Sequence, residues 1–289
     1  MQIPTKKLKC GFEMPVFGLG TWLMGGDKKR NPNNDDQADI RAIQTAINLG
    51  ITHIDTAENY AEGHAEELVG QAIRGFPREK LFLVSKVSPE HLRGEDVLKS
   101  AKASLQRLQT EYLDLYLIHA PNSQISIKET MEVMDLLLEE GLIKNIGVSN
   151  FNIQRFEEAQ SYTKNKIVAN QLHYNLIIRE VERKGLVDYC HKNDVILVAY
   201  RPLQKGEVLQ KGREVLEEIG KKYQKTPAQI AINWLVSQSN VVTISKMGSR
   251  VHFKENLGAV NWEMAEEDIE KLRRDFPEQE EISKVCALT

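Results

Sequence analysis

ITHID at 51–55, LFLVSK at 81–86 and LDLYLIH at 113–119 are three short apolar runs, and each ends on an ionisable residue: Asp55, Lys86 and His119. Runs of this length, rich in Val, Ile, Leu and Tyr and without strict alternation, read as strands buried on both faces, the pattern of a parallel sheet. Similar runs occur at Val16–Gly20, Ile146–Ser149, Val168–Gln171, Val195–Tyr200 and Val241–Ser245, making eight in all. Helical periodicity fills the intervals. Gln37–Leu49 puts Ile40, Ile43, Ala46 and Ile47 on one face and stops at Gly50. Val97–Leu108 and Ile127–Glu140 repeat the pattern, the second ending at Gly141. Thr226 as N-cap and Pro227 at the first helical position open a helix over Ala228–Val236.

Strands alternating with helices over residues 1–289, with no break in composition, predict one α/β domain built on a parallel sheet. A doubly wound sheet would carry a GxGxxG turn between its first strand and helix. Gly18-Leu19-Gly20 lacks the third glycine, so the expected fold is a single (β/α)8 TIM barrel. Met1–Phe17 reads as an N-terminal β-hairpin turning near Cys10-Gly11, and Ala265–Arg274 as an extra C-terminal helix. A net charge of -3 argues against nucleic acid as a partner. No apolar stretch approaches the roughly 18 residues that span a bilayer, and MQIPTKKLKC lacks the apolar core of a signal peptide. Cys10, Cys190 and Cys286 are odd in number, widely spaced and fit no zinc pattern; they read as small buried thiols of a cytoplasmic protein.

In a parallel barrel the strand C-termini meet at one face, where chemistry is found. Successive strands would deliver Asp55, Lys86 and His119 there, with Tyr60 in the loop after Asp55. A tyrosine with a pKa near 10 is a poor proton donor at neutral pH. A neighbouring ammonium favours tyrosinate and lowers that pKa, and a carboxylate holds the ammonium in place. A histidine alongside is suited to hydrogen-bonding a carbonyl oxygen. Singly, each of these residues has an ordinary explanation as a surface charge or a packed core group; their convergence is what points to proton transfer. No activated serine or cysteine accompanies them, and His119 with Asp55 supplies too few ligands for a metal.

The chain resembles the aldo-keto reductase superfamily through seven ordered motifs: GLGTW from Gly18, HIDTAENYAEGHAEELVGQAI from His53, LVSKV around Lys86, YLDLYLIHAP through His119, IGVSNF from Ile146, NQLHYN from Asn170 and ISKMGSRVHFKEN from Ile244. The resemblance implies reversible reduction of aldehydes and ketones, with Tyr60 as general acid, Lys86 and Asp55 tuning it and His119 orienting the carbonyl. It also implies an extended NADP(H) across the barrel mouth. Ser149, Asn150 and Gln171 would hold the nicotinamide carboxamide, and Tyr200 would stack on the ring. Arg201, Leu203 and Gly206 would follow the pyrophosphate. Gly20, Thr21, Trp22 and Asp55 would also contact the cofactor. Ser245, Lys246, Met247, Gly248, Ser249, His252, Glu255 and Asn256 would reach the adenosine end. A loop after the last strand that leads into a helix is also a favoured phosphate site on physical grounds.

The chain departs from the family pattern at three points. Ser245-Lys246-Met247 replaces a common prolyl-lysyl-serine, and His252 stands where an arginine often meets the 2′-phosphate, with Arg250 nearby. NADPH is therefore the expected cofactor, with NADH use left open. Ala120 replaces a tryptophan after the histidine, which widens a substrate pocket formed by Trp22, Tyr60, His119 and Ala120. A short charged tail after Phe276 also predicts an open site for small carbonyl or alcohol substrates, in a monomeric enzyme. The competing reading is a redox-sensing module that holds NADPH and turns over slowly; it would call for a partner surface or an added N-terminal segment, and a sequence that starts nearly at the barrel makes it the less expected of the two.

Overall fold

The computed structural model describes residues 2–288. Two antiparallel strands come first, β1 (Thr5–Lys7) and β2 (Glu13–Pro15), joined by a turn in which Gly11 takes φ +93°. Eight parallel strands follow: β3 (Phe17–Gly20), β4 (His53–Asp55), β5 (Phe82–Val87), β6 (Leu115–Ile118), β7 (Ile146–Ser149), β8 (Ile167–His173), β9 (Ile196–Tyr200) and β10 (Val241–Ser245). Each pairs with its neighbours in chain order, and β10 closes the cylinder by pairing with both β9 and β3. The expected barrel, hairpin and final helix (Glu266–Asp275) are all present. Among the described residues, no helix is long and apolar enough to cross a membrane.

The strand interiors are almost wholly buried, because helices cover the outside and side chains fill the inside. β4 begins at His53 and not at Ile51, since the Ile51 amide still donates to the Ala46 carbonyl and completes the end of the preceding helix. That helix, Asp36–Asn48, buries Ile40, Ala42, Ile43, Ala46 and Ile47, and Asp35 caps it by accepting from the Ala38 amide. Thr226 and Gln229 form a reciprocal capping box on Pro227–Val236.

The hairpin closes one end of the barrel. Lys6 donates to the carbonyls of Val236, Gln238 and Val241 at the start of β10, and Phe12 packs edge-on against Phe82 at the start of β5. Close packing there requires glycine at position 18, where a Cβ would lie 2.4 Å from His53 Nδ1. With the strand N-termini sealed, the opposite end is left for chemistry. All three thiols are free, as expected, but only Cys190 is buried: Cys10 lies exposed in the hairpin turn and Cys286 is half-buried.

Candidate active site

Asp55 is the last residue of β4, and Lys86 is the penultimate residue of β5. Side by side in the barrel wall, both are buried, and Lys86 Nζ lies 2.6 Å from Asp55 Oδ1. The same ammonium donates to the Thr56 carbonyl at 2.7 Å and to the Tyr60 hydroxyl at 3.3 Å, so each of its three protons has an acceptor. The other carboxylate oxygen of Asp55 accepts from Gln171 Nε2 at 2.7 Å. Every donor and acceptor of the pair is thus satisfied, the condition under which a buried ion pair is tolerated.

Tyr60 reaches this pair through an unusual turn. Ala61, Glu62 and Gly63 are all left-handed (φ 50°, 59° and 89°), a conformation that costs a non-glycine residue about 1–2 kcal/mol. The loop before the first barrel helix holds it there: the Asp27 carbonyl accepts from Ala61 N at 2.7 Å, and that of Lys28 from Glu62 N at 3.1 Å. Glycine at 63 is the one hint of this turn in the sequence; the partner loop could not be found from local pattern. His119, one residue beyond β6, packs edge-on to the Tyr60 ring with centroids 5.6 Å apart, and Trp22 does so from another side at 4.9 Å.

The electrostatics differ from the simple expectation that lysine lowers the tyrosine pKa. Burial pushes Tyr60 up, Lys86 pulls it down, and burial prevails, so the phenol stays protonated at neutral pH. Burial also works against the Lys86 charge, but Asp55 and Tyr60 together override it and hold the ammonium above its ordinary pKa. Burial, assisted by the Lys86 charge, drives His119 down to about 3, which keeps the imidazole neutral. His119 Nδ1 is buried with no hydrogen-bond partner among the described residues.

Asp55, Tyr60 and His119 line a cavity of about 760 Å³ at the strand C-termini, within the size range of small-molecule and cofactor sites; Lys86 is fully buried and does not reach the wall. Asp55, Tyr60, His119, Trp22 and Ala120 are on its wall, as are Ser149, Asn150, Gln171 and Tyr200. Arg201, Leu203, Gly206 and Gly20 continue it, and Ser245, Lys246, Met247, His252, Glu255 and Asn256 border the far end. Three positions expected along the cofactor are not on the wall. Thr21 is buried, its hydroxyl donating to the Asp55 carbonyl. Gly248 and Ser249 lie just beyond, Ser249 capping Arg250–Leu257 through the His252 amide. Of the three basic residues expected near the 2′-phosphate, Lys246 and His252 line the cavity and Arg250 does not.

An extended dinucleotide fits this donor set. Arg201, Lys205, Lys246 and Lys28 give the wall positive charge, and Gly206 leaves open space where a Cβ would stand. Ser149 and Asn150 are already joined: Asn150 Nδ2 donates to Ser149 Oγ at 3.0 Å, and Asn150 Oδ1 accepts from the Tyr200 hydroxyl at 3.0 Å. Leu23, Pro89 and Glu90 also stand on the wall, as do Val285 and Cys286 from the C-terminal tail, and no motif in the sequence marks them. The tail therefore does more than a short charged end suggests: it contributes two small apolar groups to the cavity.

A closed parallel barrel with a buried Asp–Lys pair, a tyrosine and a histidine at its strand ends defines a barrel enzyme of the α/β class. Residues 16–274 match the family model described as the Aldo/keto reductase family. Methylglyoxal reductase YeaE of Escherichia coli is 35% identical over 268 residues, 91% of this chain and 92% of that protein. Glyoxal reductase of Bacillus subtilis is 37% identical over 270 residues, covering 93% and 91%. Among solved structures, the thermostable aldo-keto reductase Tm1743, crystallised with the inhibitor epalrestat, is 46% identical with a TM-score of 0.90, covering 94% of this chain and 99% of that one. An aldo-keto reductase from Klebsiella pneumoniae in complex with NADPH is 34% identical with a TM-score of 0.85, covering 96% of each. The chain belongs to the aldo/keto reductase family, and it is an oxidoreductase that uses NADP(H).

Proposed function

We propose that the protein reduces small aldehydes, ketones and α-dicarbonyls such as glyoxal and methylglyoxal, with Tyr60 as the proton donor. The observation that carries this reading is the placement of the Tyr60 hydroxyl 3.3 Å from Lys86 Nζ, itself 2.6 Å from Asp55. When bound, reduced nicotinamide supplies the hydride that the carbonyl carbon accepts. The carbonyl oxygen takes its proton from the Tyr60 hydroxyl. Because burial keeps Tyr60 protonated, the proton is in place at neutral pH. As it leaves, negative charge develops on the phenolic oxygen beside the Lys86 ammonium, and that attraction is greater in the transition state than in the ground state.

The neutral imidazole of His119 is suited to donating an N–H to the substrate oxygen, which orders it toward the phenol. Asp55 keeps Lys86 charged and fixed. The dicarbonyl preference draws on the two named relatives, a methylglyoxal reductase and a glyoxal reductase, and on the small side chain of Ala120 beside His119. Loss of NADPH absorbance with a panel of aldehydes, ketones and dicarbonyls tests the reading. Tyr60→Phe should lower kcat by about 10²–10⁴-fold while leaving NADPH affinity within about twofold. Near-normal reduction by that variant would remove Tyr60 from the role.

A further inference from the structure

His173, the last residue of β8, is buried and does not itself line the cavity, yet it touches three things that do or that carry what does. Its ring stacks on Tyr200, with centroids 5.1 Å apart and planes within 7°. Its Nε2 meets Gln204 Oε1 at 2.8 Å, in the loop that runs along the cavity after β9. Its Nδ1 meets Ser283 Oγ at 2.7 Å, in the C-terminal tail 110 positions away.

The direction of these bonds follows from the groups around them. Ser283 Oγ accepts the amide protons of Val285 and Cys286, at 3.2 and 3.1 Å, so its own hydroxyl proton is free to go to His173 Nδ1. Nε2 then carries the ring proton and donates to Gln204. Burial lowers the His173 pKa to about 4, so the ring is neutral and this single pattern persists at neutral pH. The relay fixes the backbone of Val285 and Cys286, the two tail residues on the cavity wall. Asn175 holds the same loop, donating to the Arg201 carbonyl at 2.9 Å. A second clamp on the tail is independent of the histidine: Glu180 accepts from the Ser283 and Leu288 amides at 2.9 and 3.0 Å.

We propose that His173 is a positioning residue that couples the two sides of the barrel mouth: through Ser283 it seats Val285 and Cys286 against the carbonyl site, and through Gln204 and the Tyr200 ring it sets the platform for the nicotinamide. This rests on the reading that the cavity takes a carbonyl compound and NADPH together. Substrate choice then depends on a tail whose register is set from behind the cofactor platform, and the wall it presents suits small uncharged carbonyl compounds.

Ser283→Ala removes the tail arm alone, whereas His173→Phe keeps the stacking surface and removes both arms. Three readouts separate them: amide exchange of the peptide spanning 282–288, NADPH affinity by fluorescence titration, and KM for methylglyoxal. Ser283→Ala should speed tail exchange and raise KM by about fivefold, the factor that one net hydrogen bond supports, with NADPH affinity within about twofold. His173→Phe should do the same and also weaken NADPH binding several-fold. In the double variant the tail effect should be no larger than in either single one.

Unchanged tail exchange in both single variants would overturn the proposal, as would a loosened tail with KM at the parent value. An equal loss of NADPH affinity in Ser283→Ala would mean general loosening and would also overturn it. If His173→Phe does not fold, Ser283→Ala decides the tail arm, and Gln204→Leu, judged by NADPH affinity, decides the other. Exchange and NADPH titration require no turnover, so they still judge the coupling if no carbonyl is reduced and the proposed reaction fails.

Discussion

Replacing Lys86 with methionine keeps the length of the side chain and removes its charge. Asp55 would then keep one of its two side-chain partners, Gln171 Nε2 at 2.7 Å, and lose the ammonium at 2.6 Å while remaining buried. Breaking a buried ion pair from one side typically costs about 3–5 kcal/mol, because the remaining charge is uncompensated. At about 2–4 °C per kcal/mol for a chain of this size, the melting temperature should fall on the order of 10 °C. Adding Asp55→Asn removes the stranded charge but keeps an acceptor for Gln171, so the double variant should regain half or more of the lost stability. Neither should reduce carbonyl compounds, since the tyrosinate formed as the proton departs would face no cation. Urea denaturation of parent, single and double variants, with NADPH oxidation measured on each, separates the two effects. A single variant as stable as the double would refute the electrostatic account of the pair; recovered activity in the double would refute the role given to Lys86.

His53 is buried with neither ring nitrogen partnered among the described residues, and burial lowers its pKa from 6.5 to about 4. A lowered folded-state value means the unfolded chain binds the proton first, so stability is lost as pH falls from 6.5 toward 4; the histidine accounts for about 2 kcal/mol between pH 7 and 5. His53→Leu should flatten that dependence by the same amount in urea melts at the two pH values, and an unchanged slope would count against it. Lys246→Ala should weaken NADPH by about tenfold, as for one charge-assisted contact, and leave NADH nearly unaffected; equal losses for both would exclude a 2′-phosphate contact. Ala120→Trp should raise KM for bulky ketones more than for methylglyoxal, and an unaltered substrate range would show that position 120 does not border the carbonyl site.

Much of the site was legible because barrel geometry turns sequence position into spatial position. Once β4, β5 and β6 were read from their apolar runs, Asp55, Lys86 and His119 had to meet at one end, and they do. Strand limits were less legible. The end of β4 nearest the hairpin depended on a helix cap at Ile51, and helix-to-strand junctions are decided by hydrogen bonds that local composition does not encode. The left-handed run at Ala61 and Glu62 was illegible for a related reason: neither residue favours that conformation, and the Asp27–Lys28 loop imposes it from more than thirty positions away.

The amino-acid sequence alone determined the alternation of strands and helices, the closure into one barrel and the four polar residues at its mouth. Each of these follows from a period or an order along the chain, and periods survive without knowledge of neighbours. Only the tertiary structure decided the protonation states, because burial outweighs Lys86 at Tyr60 and no linear pattern reports how much water a side chain loses. It alone brought Ser283 to His173 and set Val285 and Cys286 against the cavity, since that contact spans 110 residues and rests on single hydrogen bonds in an otherwise irregular tail.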